Sequence, residues 1–128
     1  MKVNYAIVFV SDMKRSVEFY KNVLGLLLKF ETTHWTEFET EGATLALHLS
    51  DGVPVPEKNN NPEPPGSCRP GLQVSGLDEF HKRMKELGVK CVQDPKEVFG
   101  KRIAQYTDPD GLIFSVSEKK TPPVVSLN

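Results

Sequence analysis

The stretch "VSDMKRSVEFYKNVLG" (10–25) decides the fold, because "VSGLDEFHKRMKELG" (74–88) follows the same plan. In the first, Met13, Val17, Tyr20 and Leu24 recur at spacings of four, three and four, with Phe19 and Val23 beside them. That is the apolar stripe of an amphipathic helix. Ser11 or Asp12 can cap its start, and Gly25 stands where a left-handed stop residue is wanted. In the second, Leu77, Phe80, Met84 and Leu87 are spaced three, four and three, and Gly88 closes the run. Both stretches begin Val-Ser and end Leu-Gly, so the chain reads as one unit written twice.

The flanks repeat as well. Val3 to Val10 is almost continuously apolar, which predicts a buried strand. After the first helix come three strand candidates, Leu26 to Thr32, Trp35 to Thr40 and Ala43 to Ser50, with "ETEGA" turning between the last two. After the second helix come "VKCVQD" (89–94), "KRIAQYT" (101–107) and "LIFSVSE" (112–118), with "DPDG" (108–111) as the turn. "RPGLQVS" (69–75) is the strand that precedes that helix. Each half therefore reads β-α-β-β-β. Module one covers 1–50 and module two 69–118, joined by a proline- and asparagine-rich linker at 51–68 and followed by a tail at 119–128. The expected class is α+β: a single domain of two βαβββ modules forming a curved mixed sheet around a pocket. One helix covers one face of each small sheet, and the two open faces can curve around a shared hollow.

The faces can be assigned from strand phase, since alternate residues point to opposite sides. In "ATLALHLS" (43–50), Leu45, Leu47 and Leu49 take the core side, and Thr44, Ala46, His48 and Ser50 take the other. Tyr5, Ile7 and Phe9 share the open face of the first strand, and Trp35 and Glu37 that of the third. Ser115 and Ser117 share a polar face opposite Leu112, Phe114 and Val116.

Bulk properties exclude several classes. A chain of 128 residues suits one domain. With 38% hydrophobic and 26% charged residues it can build a core. A net charge of -1 and the lack of a basic run imply neither nucleic-acid nor membrane binding. Cys68 and Cys91 stand in unrelated contexts without CxxC spacing, and a reducing cytoplasm is the expected compartment. The N-terminus lacks the pattern of a signal peptide, and no apolar stretch is long enough to span a membrane. Phosphate-loop, GxGxxG, GxSxG and HExxH motifs are missing from the sequence.

The repeat, the opening "VSDMKRSVEFYKNVLGL" and the closing "DPDGLIFSVSE" resemble the glyoxalase / bleomycin-resistance / extradiol-dioxygenase superfamily, also called vicinal oxygen chelate proteins. The resemblance covers roughly 3–118. It implies four metal-ligand positions, on the first and last strand of each module, that face the hollow and usually carry His, Glu or Gln. Here those positions read Tyr5, His48, Arg69 and Ser115. Only His48 is a good ligand for a divalent ion, and Arg69 would repel one. No cofactor is expected, and no divalent metal.

The resemblance then implies a small-molecule binder. Its ligand-binding set is Tyr5, Ile7, Phe9, Trp35, His48, Arg69, Gln73, Gln105 and Ser115. Aromatic side chains suit a flat apolar or aromatic ligand, and Arg69 suits an anion. The alternatives are that the aromatics serve core or dimer packing, that Arg69 meets solvent, and that His48 has no role. A second reading is a lyase, isomerase or dioxygenase of the glyoxalase group with a shifted metal site or with His48 as catalytic base. A third is a small interaction domain whose hollow is filled by side chains. His34 and His81 read as structural or exposed, with solvent the default for His81. Cys68 and Cys91 read as plain thiols. A homodimer is expected, with modules exchanged between chains, because a semi-rigid proline-rich linker resists folding back tightly. Eighteen linker residues could reach roughly 60 Å, so pairing within one chain, in a monomer, stays open.

Overall fold

The computed structural model describes residues 2–50, 68–98 and 100–119. The linker, but for Cys68, and the tail after Lys119 lie outside them. The chain divides into two compact units, Met1–Cys68 with Asp108–Leu112, and Arg69–Thr107 with Ile113–Asn128.

The first unit runs β1 (Tyr5–Val10), α1 (Met13–Glu18), a π-helical turn (Phe19–Val23), β2 (Leu27–Glu31), β3 (Trp35–Glu39) and β4 (Thr44–Leu49). The second runs β5 (Gly71–Val74), α2 (Leu77–Glu86), β6 (Cys91–Val98), β7 (Lys101–Thr107) and β8 (Ile113–Glu118). Each builds a four-stranded mixed sheet on one pattern, β1-β4-β3-β2 and β5-β8-β7-β6. The first strand of each module pairs parallel with its last, and the other neighbours pair antiparallel. The fold is α+β with two βαβββ modules.

Sequence explains the elements. Asp12, extended in backbone, accepts the amide of Arg15 through its side chain and so caps α1. Gly25 and Gly88 end the two helices at φ +83° and +74°, a region that costs other residues a clash of Cβ. Val10, Val17, Tyr20, Phe38 and Leu47 are buried in the first unit, and Leu77, Met84, Tyr106, Phe114 and Val116 in the second.

Three expectations need correction. β1 is not buried throughout: within its unit Val8 and Val10 are covered, while Tyr5, Ile7 and Phe9 are 49%, 48% and 66% exposed. Alternation, not the continuous apolar run, describes this strand. The first helix is not α-helical to its end. At Phe19–Val23 it widens, with the Leu24 amide on the Phe19 carbonyl. The sixth strand runs to Val98 rather than stopping at Asp94, because register shifts on both sides of Gln93 absorb extra residues and carry Pro95 within the strand.

Candidate functional site

The open face of the first sheet is built by cross-strand register. Phe9 and Trp35 both lie opposite His48, and Ile7 and Glu37 both lie opposite Ala46. Side chains directly opposite share a face. The result is a row of rings. Tyr5 meets Trp35 edge-on at 6.4 Å, Trp35 meets His48 edge-on at 5.8 Å, and Phe9 lies 5.2 Å from His48. Ala46, fully buried, forms a small floor between Ile7 and Glu37.

His48 lies 2.9 Å, through Nδ1, from the carbonyl of Leu49. A carbonyl only accepts, so Nδ1 carries the proton and neutral His48 keeps its lone pair on Nε2. Glu37 is the buried carboxylate of this face. Its Oε2 accepts the indole N–H of Trp35 at 2.8 Å, and Lys29 stands 3.8 Å from Oε1. Strand phase placed Glu37 here, but its part in fixing the indole plane was not read from sequence. Two residues apart on one face is the signal that could have found it. A separate cleft of about 180 Å³ is lined by Lys2, Asn4, Tyr5, Gly42, Ala43 and Thr44. It sits at one end of β1 and shares Tyr5 with the ring row, but holds neither His48 nor Glu37.

In the second unit the matching face is more polar and lacks aromatic rings, with Ile103 and Ile113 among its serines and glutamines. Ser115 lies opposite Gly71 and Gln105, and Ser117 opposite Gln73 and Ile103. Arg69 is half-buried just before β5. The nine sequence-predicted residues thus fall in two sets: Tyr5, Ile7, Phe9, Trp35 and His48 in the first unit, and Arg69, Gln73, Gln105 and Ser115 in the second.

The helix-covered sides carry polar groups that sequence did not single out. Tyr20 donates to Asp108 Oδ2 at 2.8 Å, and Asp108 Oδ1 accepts the amides of Asp110 and Leu112, each at 2.9 Å. Burial raises the Asp108 carboxyl above the usual carboxylate range, against the lowering effect of these hydrogen bonds. Burial, then the charge of Asp108, keeps the Tyr20 phenol protonated. Asp110 in turn accepts from the amide and hydroxyl of Ser11 and from Arg15. The DPDG turn is therefore a docking piece of the first unit as well as a turn. His81 is also corrected: its side chain is only 16% exposed, with Nδ1 2.8 Å from the Tyr106 hydroxyl, so solvent is not its surroundings. His34 is exposed and both cysteines are free. Among the described residues no helix is long and apolar enough to cross a membrane.

A family model described as the Glyoxalase/Bleomycin resistance protein/Dioxygenase superfamily matches residues 2–116. The protein YraH of Bacillus subtilis (strain 168) is 31% identical over 129 residues, covering 91% of this chain and 97% of its own. Metallothiol transferase FosB of Lysinibacillus sphaericus (strain C3-41) is 25% identical, covering 88% of this chain and 78% of its own. A solved structure from Sphaerobacter thermophilus DSM 20745, a member of the same superfamily, aligns with TM-score 0.73 at 26% identity, covering 93% of this chain and 98% of that one.

Proposed function

The chain belongs to the glyoxalase/bleomycin resistance protein/dioxygenase superfamily, and from that premise we propose that it binds a small, flat, apolar or aromatic molecule without a catalytic metal. The observation that carries this reading is the ring row Tyr5–Trp35–His48–Phe9 on the open face of the first sheet. Tyr5 and Phe9 are exposed and Trp35 and His48 partly buried. Set edge-on or tilted to one another, these rings offer faces for stacking, at about 0.5–1.5 kcal/mol per ring beyond burial. His48 Nε2 adds one acceptor, and Glu37, tied to Trp35 and Lys29, fixes the indole plane.

The metal that the superfamily implies does not fit the residues at its positions. They offer a phenol, an imidazole, a guanidinium and a hydroxyl, where a divalent ion needs several deprotonated donors together. The nearby carboxylate, Glu37, is already engaged. In the second unit Gln73, Gln105, Ser115 and Arg69 offer polar groups of their own, and a guanidinium favours an anionic group. A cytoplasmic homodimer with exchanged modules is part of the same reading.

Trp35 is the single tryptophan of the chain, so its fluorescence reports directly on the site. Planar aromatic carboxylates titrated onto the purified protein should quench or shift it, and the effect should fall at least tenfold in affinity in Tyr5→Ala and His48→Ala. Saturable binding that survives both substitutions would remove the proposal.

A second reading is favoured by one feature. The tautomer of His48 leaves Nε2 free to take a proton, as a catalytic base must, and the FosB relative is named a transferase. Turnover of a thiol- or carbonyl-bearing substrate that His48→Gln abolishes, with ligand affinity kept, would establish that reading over simple binding.

A further inference from the structure

Cys91 and Asp94 lie three positions apart on β6, and on a regular strand they would face opposite sides of the sheet. They do not. Register shifts between Cys91 and Gln93 and between Gln93 and Lys96 re-aim the chain, and Cys91 Sγ lies 3.5 Å from Asp94 Oδ1. From α2, His81 brings Nε2 to within 3.5 Å of the same oxygen. One ligand atom from each of the three residues lies within 4.8 Å of every other.

We propose that His81, Cys91 and Asp94 form a binding site for a borderline-soft divalent cation of the zinc class. The spacing suits a tetrahedral ion. With metal–sulfur distances of ~2.3 Å and metal–nitrogen or –oxygen distances of ~2.0–2.2 Å, neighbouring ligand atoms stand about 3.3–3.6 Å apart. Two of the separations already fall there, and the third needs only side-chain rotation, which the 79% exposed Asp94 allows. The donor types fit as well: one thiolate, one imidazole and one carboxylate suit a borderline ion better than magnesium or calcium.

The support behind the site is ordered. Tyr106, fully buried and paired with Cys91 across the sheet, meets His81 Nδ1 at 2.8 Å. With Nδ1–H donating to the phenol oxygen, Nε2 keeps its lone pair for the ion, the arrangement that fixes most metal-ligating histidines. On binding, the Cys91 S–H bond breaks, its proton leaves to water, and the sulfur lone pair forms the bond to the ion. Three protein ligands leave a fourth position to water or a small donor, on the side where Asp94 is open to solvent.

This site lies on the helix-covered side of the second sheet and does not rest on the proposed ligand face. Cobalt(II) tests it on the full, reduced chain. Expected are one equivalent bound, tetrahedral d–d bands in the visible and a thiolate-to-cobalt charge-transfer band in the near ultraviolet. Cys91→Ser should abolish the charge-transfer band, Cys68→Ser should leave it unchanged, and His81→Gln should weaken binding at least tenfold. Tyr106→Phe should lose about 10–100-fold in affinity if it orients His81. Circular dichroism checks that each variant is folded. In folded protein, the proposal is overturned by a charge-transfer band that survives Cys91→Ser, by bands of octahedral form without sulfur, or by no bands up to about 1 mM cobalt. Binding that His48→Ala removes would place the ion at the superfamily position instead, and would overturn both this site and the metal-free reading.

Discussion

The two sheets share one strand order but differ in the residues of their open faces. The first presents Tyr5, Ile7, Phe9, Trp35 and His48, and the second presents Gly71, Gln73, Ile103, Gln105, Ser115 and Ser117. Under the helices the resemblance returns. Each unit buries one tyrosine hydroxyl against a titratable partner, Tyr20 on Asp108 and Tyr106 on His81. The anchors stand on different elements, Tyr20 on the π-helical turn and Tyr106 on β7, so each copy satisfies its buried hydroxyl in its own way while the open faces diverge. That is expected where buried polar groups must be satisfied and surface residues are free to change.

The largest test of this contrast is at the buried anchors. Asp108→Ala removes the partner of Tyr20 and of two amides, and should destabilise the protein by about 2–4 kcal/mol in urea denaturation. Tyr106→Phe in the second unit removes one hydrogen bond to a half-buried imidazole and should lose only about 1 kcal/mol. Equal losses would break the proposed inequality of the anchors. Asp108→Asn sharpens it through pH. Because burial raises the folded-state pKa of Asp108, its contribution is fully present below the usual carboxylate value and is lost as pH rises through the raised one. Wild type should therefore gain stability relative to Asp108→Asn as pH falls from 7 towards 4. A constant difference would show that Asp108 titrates like a solvated carboxyl.

Smaller effects belong to the open faces. Phe9→Ser should change stability by no more than about 0.5 kcal/mol, because Phe9 is 66% exposed within its unit. A loss above about 2 kcal/mol would mean that this ring is structural cover. The smallest effect should be Gly71→Ala. A Cβ there would meet Ser115 Oγ at 3.4 Å, the end of a side chain that can turn away, so the change should stay within about 0.5 kcal/mol by thermal melting.

The frame was legible because periodicity and repetition survive in a single sequence. Leu45 and Leu47 on one face, Ala46 and His48 on the other, and Gly25 and Gly88 as stops all follow from local rules. The ring row was legible for the same reason, since strand phase places Tyr5, Ile7 and Phe9 together. What failed was whatever depends on register between distant segments. Nothing near His81 signals Tyr106, and nothing in "DPDG" signals that Asp108 will meet Tyr20. The shifts in β6 were missed because a bulge leaves no alternation to count, and with them went the meeting of Cys91 and Asp94. The π-helical turn escaped because Met13, Val17, Tyr20 and Leu24 fit an α-helical stripe to the end.

The parallel pairing of β1 with β4 has a consequence for how the chain is made. β2, β3 and β4 pair with sequence neighbours and can assemble early, whereas β1 must wait until β4, at the far end of the module, has been synthesised. Until then "YAIVFV" leaves the ribosome as an unpaired apolar strand, the kind of segment that seeds association between nascent chains. Asp12 and the basic residues Lys14 and Arg15 follow it at once, and charges next to an apolar strand act as gatekeepers against such pairing. The helix that decides the fold thus also shields its riskiest strand during synthesis.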